Sequence, residues 1–325
     1  MIEYSRANFR VWSMLGSRRT LGVAVDELAD QYEDFTFVTA DVGRYYAINR
    51  FIEKHPEKMI NVGIAEQNMI GVAAAMVKEG YNVFAASYAT FITARVLDQI
   101  RVNLGLMGLG VKLIGVGAGF SEGDMSATHM GLEDIANIRA IPGITILSPA
   151  DCTETMKAME AAAAMNGPVY IRLTGVANNP IVYTKDYEYQ VGRAITLREG
   201  QDVAIVATGT MVNQSLKAAK LLEEVGISAT VVDMHTIKPL DMSALKQLMG
   251  YRAIITVEEH MMAGGMGSAI AEALCTLPKR PPQLIIGVPD EYPVAAEYGE
   301  LIEGCGLTAP HIAEKIKRFL SEIGE

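Results

Sequence analysis

Short apolar runs alternate with longer stretches that carry apolar residues at helical spacing along the first half of the chain. Short apolar runs bounded by polar or turn residues are typical of buried strands, and the longer stretches are typical of amphipathic helices. Strands that are separated by helices pair in parallel, because each helix returns the chain to the same end of the sheet. We therefore predict a mostly parallel sheet with strands at residues 35–39, 82–85, 111–116, 144–147 and 169–173.

Helices are predicted between these strands at residues 66–77, 94–104 and 154–165, the last of them starting near Asp151. An irregular stretch rich in asparagine, proline and tyrosine follows and predicts a connector. The alternation then resumes, with strands at residues 203–207, 230–233, 253–257 and 284–287 and helices at 211–225, 243–248, 267–277 and 310–323. The predicted fold is α/β with two domains, each a mostly parallel sheet flanked by helices. The predicted boundaries are an N-terminal extension at 1–16, a first domain at 17–176, a linker at 177–192 and a second domain at 193–325.

Composition narrows the function classes. The chain has 325 residues, enough for two hydrophobic cores, and a formal net charge of −10 that argues against general binding of nucleic acid or anionic membranes. Its three cysteines form no CxxC pair, which fits a reducing compartment. The first residues lack the apolar core of a secretory signal, and no run of 18 apolar residues occurs. We expect a cytoplasmic protein that meets any anionic ligand through locally placed Arg or Lys.

The segment Ile64-Ala-Glu-Gln-Asn-Met69 places a carboxylate at the start of an otherwise apolar helix. An acidic residue there could simply offset the helix dipole. However, the whole string, followed by small residues, closely resembles the pyrimidine-binding domain of transketolases. In that family the matching glutamate, Glu66 here, is buried against the aminopyrimidine ring of thiamine diphosphate and activates the cofactor as a carbon nucleophile. The resemblance therefore implies that Glu66 is catalytic and binds the cofactor.

The resemblance to transketolases covers nearly the whole chain in order. Any one of the matching motifs is weak, but a dozen in register is specific. They include Ser17-Arg-Arg19, Thr39-Ala-Asp41, Ser87-Tyr-Ala-Thr-Phe91, Asp98-Gln-Ile-Arg101, Leu132-Glu-Asp134, Gly167-Pro-Val-Tyr-Ile-Arg172, Ile237-Lys-Pro-Leu240, Val257-Glu-Glu-His260 and Gly264-Gly-Met-Gly-Ser268.

Four further site residues follow from this resemblance. Tyr88 and Phe91 match aromatics that stack around the pyrimidine ring, although core packing alone would account for two aromatics in apolar runs. Asp41 ends a predicted strand and matches an acid near the cofactor, and otherwise it is a turn residue. His129 matches an active-site histidine that contacts the reacting part of the substrate and could carry a proton there.

The chain lacks the Gly-Asp-Gly motif with which transketolases hold magnesium and the cofactor's diphosphate. The resemblance therefore implies a split enzyme, in which Mg²⁺ and the diphosphate of thiamine diphosphate are bound by a separate N-terminal subunit. No metal site is predicted in this chain. We expect it to be inactive alone and to assemble with that partner, with self-dimerisation giving an α2β2 complex.

Several substrate positions depart from the usual transketolase pattern. Gly117 and Gly175 replace a phosphate-binding His and Arg, Met125 replaces an acid that contacts a sugar hydroxyl, and Tyr45 replaces a phosphate-contacting Ser. Arg18 matches a phosphate-binding position, and Arg44 is a local substitute for the lost cations. Losing charged phosphate contacts is costly, so we expect an altered sugar donor or acceptor.

The leading prediction is transfer of a two-carbon ketol unit from a ketose to an aldose. A beta subunit of a 2-oxoacid dehydrogenase-like acyl-transfer enzyme has the same two domains and remains an alternative, which carbon dioxide release from a 2-oxoacid would support. A 1-deoxyxylulose-phosphate-synthase-like reaction is disfavoured, because it too needs the missing phosphate-binding arginine. A non-catalytic structural subunit is a further alternative, against which the retention of Glu66 and its aromatic neighbours argues.

Overall fold

A computed structural model describes residues 2–324, with the side chain of Arg44 outside the described part. Within these residues the chain forms twelve strands. They are β1 Phe35–Thr39, β2 Met59–Asn61, β3 Asn82–Tyr88, β4 Lys112–Val116, β5 Thr145–Leu147, β6 Val169–Leu173, β7 Ile195–Arg198, β8 Val203–Ala207, β9 Ala229–Asp233, β10 Thr236–Lys238, β11 Ala253–Met261 and β12 Gln283–Val288.

The helices cover both faces of the sheets, as expected where helical crossovers join parallel strands. They are α1 Arg6–Gln31, α2 Asn49–Lys54, α3 Glu66–Lys78, α4 Ala89–Thr93, α5 Leu97–Ile100, α6 Asp134–Arg139, α7 Cys152–Ala163, α8 Met211–Glu223, α9 Met242–Gln247, α10 Met266–Cys275, α11 Tyr298–Gly304 and α12 Ala309–Glu322. Short 3₁₀ turns lie at Gly43–Tyr46, Pro56–Lys58, Gly123–Met125 and Leu248–Gly250, and a π-helical turn at Arg101–Leu106. Of the helices described, none combines the length and apolar character that crossing a lipid bilayer requires.

The strands form two sheets, which confirms the predicted α/β class. The first has the order β10-β5-β6-β4-β3-β1-β2 and the second the order β12-β11-β8-β9-β7. Pairing is parallel except at one edge of each sheet, where β10 and β7 run antiparallel to their neighbours. Strands β1, β4, β6 and β8 are buried along their whole length, which explains why they appear in the sequence as mostly apolar runs.

The strand β10 joins the two halves of the molecule. It lies within the predicted second domain, yet it pairs with β5 of the first sheet. A single hydrophobic cluster also runs from Ile146 and Ile237 to Val206 and Ile254 of the second sheet. The two sheets therefore share part of their core.

Most of the predicted N-terminal extension is helical. Residues 6–15 form the first part of α1, which bends at Gly16, where φ is 77°. Phe9 and Trp12 are buried. The Ser13 hydroxyl donates to the backbone oxygen of Asn179 at 2.6 Å, so this segment packs on the connector.

The predicted helix at 94–104 is divided. The structure places α4, α5 and the π-helical turn at Arg101–Leu106 in this region, separated by a turn at residues 94–96. In contrast, the predicted helix start at Asp151 is confirmed, because its carboxylate accepts from the backbone N–H of Glu154 at 2.8 Å.

Candidate active site

The carboxyl ends of β1, β2 and β3 meet at one edge of the first sheet. Ligands of parallel sheets bind at this edge. Asp41 follows β1 with a φ of 64°, and the Asn61 amide at the end of β2 donates to its carboxylate at 2.9 Å. The Asn61 side-chain oxygen accepts from the backbone N–H groups of Asp41 and Gly63, each at 3.0 Å. These bonds fix the turn that leads from β2 into α3.

Glu66 is the first residue of α3 and is 5% exposed. Its Oε2 lies 3.0 Å from Nη1 of Arg95. The same guanidinium lies over the ring of Phe91, with its Cζ 3.9 Å from the ring centroid. The buried carboxylate and the aromatic face thus hold one planar cationic group between them.

Tyr88, Phe91 and His129 form a cluster beside this contact. The His129 ring centroid is 5.2 Å from the centroids of both Tyr88 and Phe91, and the two aromatic rings are 5.6 Å apart in an edge-to-face arrangement. The Thr128 hydroxyl lies 3.0 Å from Nδ1 of His129. Partial burial lowers the pKa of His129, and the nearby Arg95 charge lowers it further. The imidazole is therefore favoured in its neutral form.

On the other side of Tyr88 the cluster continues to a group of charged side chains. The Tyr45 and Tyr88 ring centroids are 5.2 Å apart, and the Tyr45 hydroxyl donates to the carboxylate of Glu122. The Arg18 guanidinium lies 3.9 Å above the Tyr45 ring and 3.7 Å from Glu122. Burial raises the pKa of Glu122, and the Tyr45 hydrogen bond opposes that shift.

The structure thus brings together five of the six predicted site residues whose side chains it describes. Glu66, Tyr88, Phe91 and His129 form one continuous cluster with Arg18 at its far end, and Asp41 lies at the same edge of the sheet. Arg44 lies in the 3₁₀ turn at Gly43–Tyr46, but its side chain is outside the described part. Among the described residues, no group of three or more His, Cys, Asp or Glu side chains is arranged to hold a metal ion.

Two functional candidates were not predicted from the sequence. Arg95 follows Phe91 by four residues, a spacing that puts two side chains on one face of a helical turn. Glu122 is an acidic residue in a glycine-rich loop that follows β4, where phosphate-binding sequences place small or basic residues. Both features are visible in the sequence. However, Arg95 and Glu122 contact residues from other elements, and the sequence alone does not show those contacts.

Comparison with known proteins identifies the family of both domains. Residues 14–176 match the family model of the transketolase pyrimidine binding domain, and residues 192–312 match that of the transketolase C-terminal domain. The chain is 35% identical over 311 residues to one subunit of the apulose-4-phosphate transketolase of Phocaeicola vulgatus, covering 95% of this chain and 99% of the relative. It is 38% identical over 292 residues to the 6-deoxy-6-sulfo-D-fructose transketolase subunit SqwH of a Clostridium species, covering 88% of each.

A solved structure described as "Split gene transketolase, inactive beta4 tetramer" superimposes with a TM-score of 0.85. It is 36% identical, and the match covers 94% of this chain and 98% of that one. The chain therefore belongs to the transketolase family, and it corresponds to the C-terminal subunit of a split transketolase, with a pyrimidine-binding and a C-terminal domain.

Proposed function

We propose that this chain supplies the pyrimidine-binding half of a split, thiamine diphosphate-dependent enzyme that transfers a two-carbon ketol unit from a ketose to an aldose. In this proposal Glu66 contacts the aminopyrimidine ring, Tyr88 and Phe91 pack around it, and Asp41 lies nearby. Arg18 and Arg44 are assigned to the substrate. Thiamine diphosphate, when bound, supplies the nucleophilic carbon that accepts the two-carbon unit.

The contact of Arg95 with Glu66 and Phe91 carries this proposal. A guanidinium is planar, donates N–H bonds and stacks on aromatic faces. An aminopyrimidine is likewise planar, carries N–H donors and can share a proton with a carboxylate. The pair of Glu66 and Phe91 already holds a group of this kind at 3.0 Å and 3.9 Å, so the residues present fit the cofactor ring.

Each residue has a defined task in this scheme. Glu66 holds the proton that its carboxyl shares with a ring nitrogen, and its burial keeps water away from that bond. The Thr128 hydroxyl contacts Nδ1 of His129 and orients the ring, so we assign Nε2 to the sugar oxygens. A neutral imidazole can accept a proton from a hydroxyl there, and the lowered pKa of His129 favours this state.

We further propose that the diphosphate and Mg²⁺ are held by a separate partner chain, and that the active form is an α2β2 complex. Three observations support this. The sequence contains no Gly-Asp-Gly motif. The P. vulgatus relative is itself named as one subunit of a transketolase. The superimposed split transketolase is described as inactive in its beta4 form.

The first test is calorimetric titration of thiamine diphosphate and Mg²⁺ into the chain alone and into its mixture with a candidate diphosphate-binding subunit. We expect clear binding only in the mixture. Tight stoichiometric binding by the isolated chain would contradict the split-site proposal.

The role of Glu66 is tested in the assembled complex. Glu66→Gln is expected to lower kcat at least about 100-fold, because a positioned acid or base contributes that much or more. Glu79→Gln, at the exposed end of the same helix, is the matched control and should leave kcat unchanged. Full activity of Glu66→Gln would support a non-catalytic subunit, and release of carbon dioxide from a 2-oxoacid would support the acyl-transfer alternative.

A further inference from the structure

A continuous row of side chains leads away from Glu66. The Arg95 guanidinium links Glu66 to Phe91, and Phe91 packs against Tyr88 with ring centroids 5.6 Å apart. Tyr88 packs against Tyr45, whose hydroxyl contacts Glu122. Glu122 therefore lies beyond the aromatic cluster, at the end opposite to Glu66. Under the proposed function this end faces the part of the sugar that is farthest from the reacting carbon.

Glu122 is held firmly in this position. Its side chain is 8% exposed, the Tyr45 hydroxyl donates to it, and Nη1 of Arg18 lies 3.7 Å away. Asp124, in the same loop, is a second negative charge close enough to help raise the pKa of Glu122, although burial is the larger cause. The Arg18 side chain is 34% exposed, and on its protein side its charge faces a buried acid.

The small residues around this pair leave a small, partly open space. A cavity of about 100 Å³ is lined by Arg18, Arg19, Glu122, Gly117 and Gly175, among others. Arg19 is exposed, so solvent and salt screen its charge more than that of buried Glu122. Among the side chains that the structure describes, the cations at this cavity are therefore Arg18, which is paired with Glu122, and the exposed Arg19.

Larger side chains cannot take the place of the two glycines. Gly117 has a φ of 72°, and a Cβ there would meet Cγ of Glu122 at 2.6 Å. Gly175 has a φ of 86°, and a Cβ there would meet the Asn179 amide at 2.9 Å. Left-handed backbone strains most residues other than glycine, and the close contacts add to that strain, so a further cation is disfavoured at both positions.

We infer that Glu122, held by Tyr45 and Arg18, makes this end of the cleft select a sugar that ends in an uncharged hydroxyl rather than in phosphate. A hydroxyl can donate to Glu122 and accept from Arg18 at the same time. A phosphate dianion would be attracted by the Arg18 charge but would also lie against the buried carboxylate of Glu122. Like charges at such a short distance are strongly unfavourable. The inference rests on the proposed function in one respect, namely that the substrate is a sugar. The expected effect of Glu122 on anion binding is independent of the proposed function.

The direct test is binding of inorganic phosphate to the isolated chain, measured by calorimetry. We expect Glu122→Gln to tighten phosphate binding at least about 10-fold, and the added substitution Arg18→Met to abolish that gain. Glu160→Gln is the matched control, because Glu160 also accepts from a tyrosine, Tyr4, in another part of the chain. It should leave phosphate binding unchanged. Equal phosphate affinity in the wild type and Glu122→Gln would overturn the inference.

The second test uses the assembled complex and compares D-erythrose with D-erythrose 4-phosphate as acceptors. We expect the wild type to favour the unphosphorylated aldose in kcat/KM, and Glu122→Gln to shift that ratio at least about 10-fold towards the phosphate. A wild-type preference for the phosphorylated aldose that Glu122→Gln leaves unchanged would overturn the inference. If Glu122→Gln fails to fold, Glu122→Ser, which also removes the charge, replaces it in both tests.

The two proposals fail in different ways. If the complex transfers no two-carbon unit from any ketose, the proposed function is wrong, while phosphate binding by the isolated chain still measures the effect of Glu122. If transfer occurs but Glu122→Gln changes neither phosphate affinity nor acceptor preference, only the inference about Glu122 is wrong.

Discussion

Arg95 occupies both surfaces that the proposed cofactor ring would use, the carboxylate of Glu66 and the face of Phe91. A side chain that fills a site must leave before a ligand enters, so its contacts weaken ligand binding. We therefore expect Arg95→Met to tighten thiamine diphosphate binding to the assembled complex about 5- to 30-fold, the equivalent of a part-exposed ion pair plus a cation–π contact. Calorimetric titration measures this change.

The exposed Arg280 serves as the control for Arg95, and Arg280→Met should bind the cofactor as the wild type does. Weaker binding by Arg95→Met would show that this arginine supports the bound cofactor rather than competing with it.

The pH dependence of the reaction tests the state of His129. Burial and the Arg95 charge lower its pKa below 6.5, with Asp124 acting in the opposite direction. A histidine with a lowered pKa stays neutral to more acidic pH, so the acid limb of kcat/KM should have its midpoint below pH 6.5. Arg95→Met removes one of the charges that lower the pKa of His129, so the midpoint of the acid limb should move towards pH 6.5. The assignment of this limb to His129 would be contradicted if its midpoint lies at or above pH 6.5 and Arg95→Met does not shift it.

At the scale of elements, the strands at the centre of each sheet were predictable. β1, β6 and β8 match their predicted bounds, because buried parallel strands consist mostly of apolar residues. β2, β7 and β10 were missed, because all three are short strands at the edges of the sheets and none has the long apolar run of a buried central strand. The pairing of β10 with β5 depends on how the two domains meet, which the local sequence does not encode.

The sequence also predicted most of the residues of the candidate site, but not the contacts between them. Glu66, Tyr88, Phe91 and His129 lie in motifs that resemble a known family, and the structure places them in one cluster. The partners of those residues were not predicted. The contact between Arg95 and Glu66 and that between Tyr45 and Glu122 each join residues from different segments, and only the packed fold brings them together.

The bend of α1 gives a prediction for stability. A Cβ at Gly16 would meet the backbone oxygen of Val176 at 2.7 Å, and its φ of 77° is already unfavourable for other residues. We expect Gly16→Ala to lower the free energy of unfolding by about 1–3 kcal/mol, measured by urea denaturation of the isolated chain. Gly71→Ala, in the open middle of α3, should instead raise it by about 0.5–1 kcal/mol. Equal effects of the two substitutions would contradict this account.

At the scale of the whole molecule, a buried ion pair ties the two domains together. Asp134 and Arg172 are almost fully buried, with Nε of Arg172 2.8 Å from the carboxylate. Arg172 also donates to the backbone oxygen of Glu259 in the second domain at 2.7 Å. His260, beside it, is also buried, with its Nε2 3.8 Å from the Asp134 carboxylate.

Removing the acid of this pair should destabilise the whole chain. Asp134→Asn leaves the Arg172 charge buried without its partner, and we expect the free energy of unfolding to fall by about 3–5 kcal/mol. Denaturant unfolding followed by circular dichroism measures the change. Arg139 and Glu272 also join the two domains, but Glu272 is 65% exposed, so Glu272→Ala should cost less than about 1 kcal/mol. A similar loss for both variants would show that burial of the pair is not what matters.

The position of β10 also bears on how the chain is made. The ribosome releases β6 well before Thr236–Lys238, and at about 5–20 residues per second that interval lasts roughly 3–13 seconds. Throughout it, β5 is an uncovered sheet edge, which is a site for unwanted pairing with other chains. The nascent first domain is thus most prone to aggregation while the second domain is still being synthesised. This exposure ends only when β10, a strand of the second domain, pairs with β5 and covers the sheet edge.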